Sequence, residues 1–118
     1  MTRVAIQIND NDEFISWHFG HANRFKIYDV EDGHIISSKI IEVLEPHGMP
    51  KLQAMIENNV NVIISDGMGP GVVQAIEEEN LDILVYAGIK GNANDVIKAY
   101  LENKLISDDS GIHSCGMD

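Results

Sequence analysis

Two histidines three positions apart, His18 and His21, are the residues whose type and spacing most suggest chemistry in this chain. They lie in the segment 15–24, together with Phe19 and with Trp17, the single tryptophan. A neutral imidazole is the commonest metal ligand in proteins, so the pair could bind a metal. The other interpretation is that Trp17 and Phe19 close one end of a hydrophobic core while both imidazoles face water. The spacing alone leaves both interpretations open.

A glycine-rich turn at residues 67–71 is the second candidate site. It follows the apolar run 60–65 and contains Gly67, Gly69 and Pro70. The unpaired N–H groups at the N-terminus of a following helix would favour an anion, although Pro70 removes one of these donors. The spacing does not match a nucleotide-binding loop. A tight connection between a strand and a helix would have a similar sequence, so the turn predicts either an anion site or a plain connection.

One further pair of residues could supply metal ligands. His113 and Cys115 lie near the end of the chain, and imidazole and thiolate suit iron, copper, zinc or molybdenum–sulfur centres. One cysteine with scattered histidines is not the paired pattern of a tetrahedral zinc site. His47 lies in a turn-rich connection that could fall near the segment 15–24 or at the opposite end of the sheet, and by itself it is expected to be a solvated side chain.

The bulk composition limits the classes of function. The chain has 118 residues, enough for one domain with a single core, and a net charge of −11 from 19 acidic and 8 basic residues. Because nucleic-acid binding requires clustered Lys and Arg, this charge argues against a nucleic-acid partner. The sequence has no apolar run of about 18 residues, which argues against a membrane span. It begins with a strand-like pattern instead of a secretory signal, and we therefore expect a cytoplasmic protein.

The pattern of apolar residues predicts the order β-β-β-α-β-α-β-α. The predicted strands cover residues 3–9, 23–30, 35–44, 60–65 and 81–86. The predicted helices begin near Pro50, at Pro70 and after Asn92, which can cap a helix. Short turns make the first three strands antiparallel, whereas helical crossovers make the later strands parallel. We expect an α/β fold with a mixed five-stranded sheet in the order 3-2-1-4-5 and helices on both faces. Residues 1–106 would form this single domain, followed by a flexible acidic tail at 107–118.

This strand order would bring the first two candidate sites together. Strand 1 would lie beside strand 4, so the loop at 10–21 and the loop at 66–71 would share one edge of the sheet. We call these two loops the rim. Ligands of open α/β sheets bind in such crevices, beyond the carboxyl ends of the strands.

Four stretches of the sequence carry a resemblance to a known family. They are residues 4–6 (VAI), 16–22 (SWHFGHA), 25–30 (FKIYDV) and 62–70 (VIISDGMGP). The first three resemble the opening signature, and the last resembles the second signature, of the dinitrogenase iron–molybdenum cofactor biosynthesis family. The resemblance extends to about Leu105.

The resemblance implies a ribonuclease H-like fold and a specific kind of function. The protein would bind an iron–sulfur or iron–molybdenum-type cluster, or its precursor, and carry it during cofactor assembly without turnover of its own. Its partner would be a cofactor-assembly or acceptor protein. His18 and His21 would be the metal ligands, and Phe19 would help to shield the cluster from water. The positions that the resemblance implicates in binding are His18, Phe19, Gly20, His21, Gly67, Gly69 and Pro70. His113 and Cys115 lie beyond the resemblance and are added as candidate ligands for the chemistry of their side chains.

Two other functions compete with this interpretation. A regulatory or protein-interaction module of the same fold would bind a partner protein and no metal. A metal-dependent nuclease needs several carboxylates around its cations, but the centre of strand 1 offers Ala5 and Gln7, and Asp66 stands alone at the end of strand 4. With the acidic net charge, nuclease activity is not expected.

Overall fold

The secondary structure follows the predicted order of elements. The computed structural model describes residues 1–9, 14–15, 19–45 and 47–105, with the side chain of His21 excluded. The five strands are β1 (Thr2–Ile8), β2 (Arg24–Glu31), β3 (His34–Glu42), β4 (Val62–Ile64) and β5 (Leu84–Tyr86). The helices are α1 (Gly48–Glu57), α2 (Pro70–Glu78) and α3 (Ala93–Leu101), and a 3-10 turn covers Phe19–His21. None of these helices has the length and apolar character needed to cross a bilayer.

The sheet has the predicted strand order, β3-β2-β1-β4-β5. β1 is antiparallel to β2 and parallel to β4, and Ala5 at its centre pairs with Ile27 on one side and with Ile63 on the other. β4 is therefore an interior strand, as its unbroken apolar run predicts. It is shorter than the predicted 60–65, because the pairing with both neighbours covers only Val62–Ile64.

The two faces of the sheet carry separate cores. Successive residues of β1 point to opposite faces, so Ala5 packs in the core with α1 and α2, while Val4 and Ile6 pack in the core with α3. The buried helix residues are Leu52, Met55, Val72 and Ile76 in the first core and Ala93, Val96 and Ile97 in the second. The prediction of helices on both faces is confirmed.

All three helices begin at the same end of the strands, the end where the rim lies. β1, β4 and β5 are parallel, and β3 shares their direction because β2 is antiparallel to both β1 and β3. Since α1, α2 and α3 follow β3, β4 and β5, each helix starts at the carboxyl ends of the strands. Pro70 is the first residue of α2. Asn92 caps α3 by accepting a hydrogen bond from the N–H of Asn94 at 2.8 Å, as predicted.

β3 forms one edge of the sheet, in agreement with its mixed polar composition. Nearly every residue of this strand is exposed. Ile35, Ile36 and Ile40 keep 43%, 56% and 39% of their surface accessible. The strand is therefore long, partly apolar and open along its outer side within the described part of the chain.

The predicted boundary between a domain at 1–106 and a tail at 107–118 falls on residues outside the described ranges. It stays a prediction, as does the flexibility of the tail.

Phe19 anchors the 3-10 turn in the first core. Its ring is completely buried and packs edge-on against Phe25, with 5.4 Å between the ring centroids. Truncation to alanine would remove these contacts and leave a cavity, so we expect Phe19→Ala to lower the free energy of unfolding by about 3 kcal/mol. Chemical denaturation measures this loss, and Phe14→Ala is the control because Phe14 is 47% exposed. Equal losses in the two variants would contradict the buried position of Phe19.

Tyr28 connects β2 to α3, because its hydroxyl donates a hydrogen bond to Oδ1 of Asn94 at 3.1 Å. Burial raises the pKa of Tyr28 from 10.0 to about 12. The unfolded chain therefore ionises this side chain at lower pH than the folded chain, so its contribution to stability is lost as the pH rises from 10 to 12. We expect Tyr28→Phe to have a flatter stability profile over this range. Urea unfolding of both proteins measures the difference, and identical alkaline losses would show that another group is responsible.

Candidate functional site at the rim

The loop after β1 is held against the loop that precedes α3. Immediately after β1, the N–H of Asn9 donates to the carbonyl of Phe14 at 2.8 Å, so the chain turns back on itself. The N–H of Ile15 then donates to the carbonyl of Gly91 at 2.9 Å. The start of the rim is thus fixed to the carboxyl end of the sheet before the histidine-containing segment begins.

A backbone hydrogen bond joins the two loops of the rim. The N–H of Phe19 donates to the carbonyl of Gly67 at 2.7 Å. Phe19 belongs to the first sequence signature and Gly67 to the second, and 47 residues separate them along the chain. The expectation that the two loops share one edge of the sheet is confirmed by this contact.

The 3-10 turn places Phe19 in the core. Its ring is buried in the first core, as one of the two sequence interpretations expects of Phe19, while Trp17 and both imidazoles of that interpretation lie outside the described residues. Gly20 is also buried, in a helical conformation with the negative φ that other residues adopt as well. A role for Phe19 as a shield of a bound cluster stays a prediction, and so does the role of Gly20 in binding.

The glycine-rich turn connects β4 to α2 without an exposed loop. Gly67, Met68 and Gly69 are buried, and Pro70 is exposed at the first position of α2. Gly69 is the N-cap of α2, with φ −75° and ψ 152°, and no side chain caps the helix. These dihedral angles are open to any residue, so the backbone at this position does not itself require glycine. Both sequence interpretations of the turn, a tight connection and an anion site, remain compatible with this geometry.

The electrostatics of the rim differ from those of the whole chain. The N-termini of α1, α2 and α3 all lie at this edge, and each carries partial positive charge from its unpaired N–H groups. Lys90 adds an exposed ammonium, whose Nζ lies 3.2 Å from Oδ1 of Asp66. Such a surface pair contributes little stability, but it places a cation beside the one carboxylate at the end of β4. The electrostatic potential at the rim is therefore less unfavourable for an anion than the net charge of −11 suggests.

His47 lies at the rim end of the sheet, a position that the sequence left open. The N–H of Val43 donates to the carbonyl of Asn23 at 2.8 Å, which fixes the end of β3 beside the start of β2. His47 follows at the N-cap of α1, exposed, with φ 76° and ψ 167°. This region of backbone conformation is occupied mainly by glycine, and strain of this kind is concentrated at functional sites. The direction of β3, which follows from the antiparallel order of β1, β2 and β3, is the signal that could have placed His47.

Several predicted site residues fall outside the described part of the chain. They are His18, His113 and Cys115, together with the imidazole of His21, whose backbone ends the 3-10 turn. Within the described side chains, no three His, Cys, Asp or Glu residues are placed so that they could hold a metal ion. The ligand assignments therefore stay predictions.

Two buried polar residues beneath the rim were not identified from the sequence as parts of the site. Gln7 and Ser65 are both completely buried. The signal was present, because each is a polar residue within or directly after an apolar strand, where an unsatisfied polar group would be costly.

Comparison with known proteins identifies the family. Residues 1–103 match the family described as "Dinitrogenase iron-molybdenum cofactor". MJ0580, an uncharacterized protein of Methanocaldococcus jannaschii, is 31% identical over 110 residues, which cover 89% of this chain and 90% of that protein. The crystal structure of PH0822 has a TM-score of 0.81 at 29% identity and covers 91% of this chain and 95% of its own. The NMR structure of TM1290 from Thermotoga, a proposed NifB protein, has a TM-score of 0.69 at 25% identity, with 91% and 93% covered. Because the family match extends over nearly the whole chain, the protein belongs to the dinitrogenase iron-molybdenum cofactor family.

Proposed function

We propose that the protein binds an iron–sulfur or iron–molybdenum-type cluster, or a precursor of one, at the rim and carries it during cofactor assembly in the cytoplasm. The cluster is cargo, and the protein has no catalytic turnover. The observation that carries this proposal is the hydrogen bond of 2.7 Å between Phe19 N–H and the Gly67 carbonyl. It brings the two signatures of a cofactor-related family into direct contact at one edge of the sheet, where α/β proteins bind their ligands.

The proposed metal ligands are His18 and His21. They flank Phe19, whose ring is fixed in the core, so the segment that bears both imidazoles is attached to a rigid point. Neutral imidazole suits iron, and the ligand count of two leaves other positions of the metal for sulfide or an additional side chain. His47 is a further imidazole at the same end of the sheet.

The glycine-rich turn would face the inorganic part of the cluster. Metal–sulfur clusters with bridging sulfides are commonly anionic, and the N-terminus of α2 favours an anion. Gly67 and Gly69 lack side chains that would hold a ligand away from the backbone, and Pro70 presents only its ring.

The tail beyond Leu105 is long enough to supply His113 and Cys115 to the rim. α3 starts at the rim, and its nine residues lead about 13 Å away from it. Leu105 packs against the second core, and the chain from Leu105 to His113 can span up to about 26 Å when extended. Covalent geometry therefore permits His113 and Cys115 to reach the rim as additional ligands.

The alternative function is a regulatory or protein-interaction module that binds no metal. It is favoured by the open edge of β3, because exposed edge strands can pair with a strand of another protein. If the protein carries a cluster, the same edge of β3 would bind the assembly or acceptor protein. The two functions differ in what the purified protein does with iron, molybdate and sulfide under anaerobic conditions. A carrier becomes coloured and retains metal, whereas a module stays colourless and metal-free.

The histidine assignment predicts a loss of metal in a double variant. His18→Ala combined with His21→Ala should abolish most of the cluster occupancy after anaerobic reconstitution, while the thermal melting profile stays near that of the parent protein. The matched control is His34→Ala, which removes an exposed imidazole beside the β2–β3 turn, at the opposite end of the sheet. Full metal content in the double variant would disprove the assignment and leave the turn, His47 and the tail as the remaining candidates.

The same assignment predicts that cluster affinity depends on pH. A protonated imidazole has no lone pair for a metal, so binding should weaken as the pH falls through about 6.5, the ordinary pKa of histidine. Competition with a chelator at a series of pH values measures the affinity. Because clusters are themselves sensitive to acid, the double variant provides the baseline. If its residual binding has the same pH dependence as that of the parent protein, the imidazoles are not the ligands.

A further inference from the structure

The side chain of Ser65 lies in a buried position, where a polar group requires a hydrogen-bond partner. It directly follows β4, is completely buried, and adjoins Gln7 of β1, which is equally buried. Burial of a hydroxyl without a hydrogen bond would destabilise the fold. Both side chains lie in the layer between the centre of the sheet and the rim.

The hydroxyl of Ser65 bridges the sheet and the glycine-rich turn. Its Oγ donates towards two acceptors, the Gly67 carbonyl at 2.8 Å and Oε1 of Gln7 at 2.5 Å, as a three-centre hydrogen bond. The Gly67 carbonyl also accepts the N–H of Phe19. Both lone pairs of this carbonyl are thus in use, one towards the sheet and one towards the rim loop.

The backbone of Ser65 is rigidly held, so its side chain starts from a fixed point. Its N–H donates to the carbonyl of Tyr86 at 2.9 Å, and its carbonyl accepts the N–H of Ile89 at 3.0 Å. These contacts attach Ser65 to β5 and to the loop that follows β5. From this fixed backbone, the Ser65 hydroxyl donates to the Gly67 carbonyl, and the same carbonyl accepts the N–H of Phe19.

We propose that Ser65 is a positioning residue of the rim. Its hydroxyl holds the Gly67 carbonyl where that group binds Phe19 N–H, so that the two signatures keep one fixed separation. The inference rests on the cluster-carrying function proposed above and extends it, because buried Ser65 does not touch the cargo. A site that is ordered before its ligand arrives loses less conformational freedom on binding, and affinity is higher for that reason.

Amide hydrogen exchange in the cluster-free protein tests the first part of this inference. In Ser65→Ala, we expect the Phe19 amide to exchange on the order of ten-fold faster than in the parent protein, the effect of one lost hydrogen bond. The Asn61 and Leu84 amides are the internal reference, because they are hydrogen-bonded at the opposite end of the sheet and should change much less. Ser38→Ala, an exposed substitution on β3, should alter none of the three.

A purely structural role for Ser65 would give a different result. General destabilisation would accelerate Phe19, Asn61 and Leu84 alike, and either that outcome or an unchanged Phe19 amide would overturn the inference. Ser65→Cys is the second variant, because it keeps the side-chain size but donates only weakly. It should reproduce the selective effect at Phe19 even if the alanine variant folds poorly.

Anaerobic reconstitution tests the link to binding. Ser65→Ala should retain the cluster several-fold less tightly than Ser38→Ala in competition with a chelator. If Phe19 exchange accelerates but the two variants bind equally well, Ser65 does not position the site for its cargo. If the parent protein takes up no cluster at all, the proposed function is wrong, whereas the exchange experiment still decides whether Ser65 orders the rim.

Discussion

The arrangement of the rim depends on the hydrogen bond between Phe19 N–H and the Gly67 carbonyl. Burial of the Phe19 ring against Phe25 supplies the driving force, because apolar surface removed from water is the main favourable term in folding. The ring alone would not fix the direction of the loop. The hydrogen bond supplies this direction, since it requires the two backbones to meet in one geometry at a short distance. Burial of the Phe19 ring thereby also fixes the backbone of the 3-10 turn relative to the glycine-rich turn.

The strand order determines the electrostatic character of the rim, which lies at the carboxyl ends of the strands. A chain with a net charge of −11 would repel an anionic cargo at an arbitrary point on its surface. Because β1, β3, β4 and β5 share one direction, every helix that follows a strand starts at the same edge. Each of these N-termini carries a partial positive charge, whose effect falls off within about one helical turn. A single edge of an acidic protein can thus accept an anion without a cluster of basic side chains.

The two surfaces for which functions are proposed, the rim and the open edge of β3, are separate. The rim lies beyond the carboxyl ends of the strands, whereas the open side of β3 runs along the sheet. Cargo at the rim would therefore leave the edge strand accessible to a partner. The separation follows from the hairpin β2–β3, which extends the sheet beyond the region that the helices cover and leaves Ile36 and Ile40 exposed.

Much of the fold could be predicted from the sequence because hydrophobic periodicity and turn chemistry are local properties. The order of the elements, the cap at Asn92, the helix start at Pro70 and the interior position of β4 all follow from residues close together in the chain. Connection length and handedness then limit the strand order, and the meeting of the two rim loops follows from that order.

Only the tertiary structure decided how individual side chains are used. It placed the Phe19 ring in the core, put His47 at the rim end of the sheet, and satisfied buried Ser65 with partners from β1 and the turn. Each of these outcomes depends on contacts between residues far apart in sequence. The periodic pattern specifies which face of an element is buried, but the partner that a buried polar group meets is determined only when the strands and loops pack together.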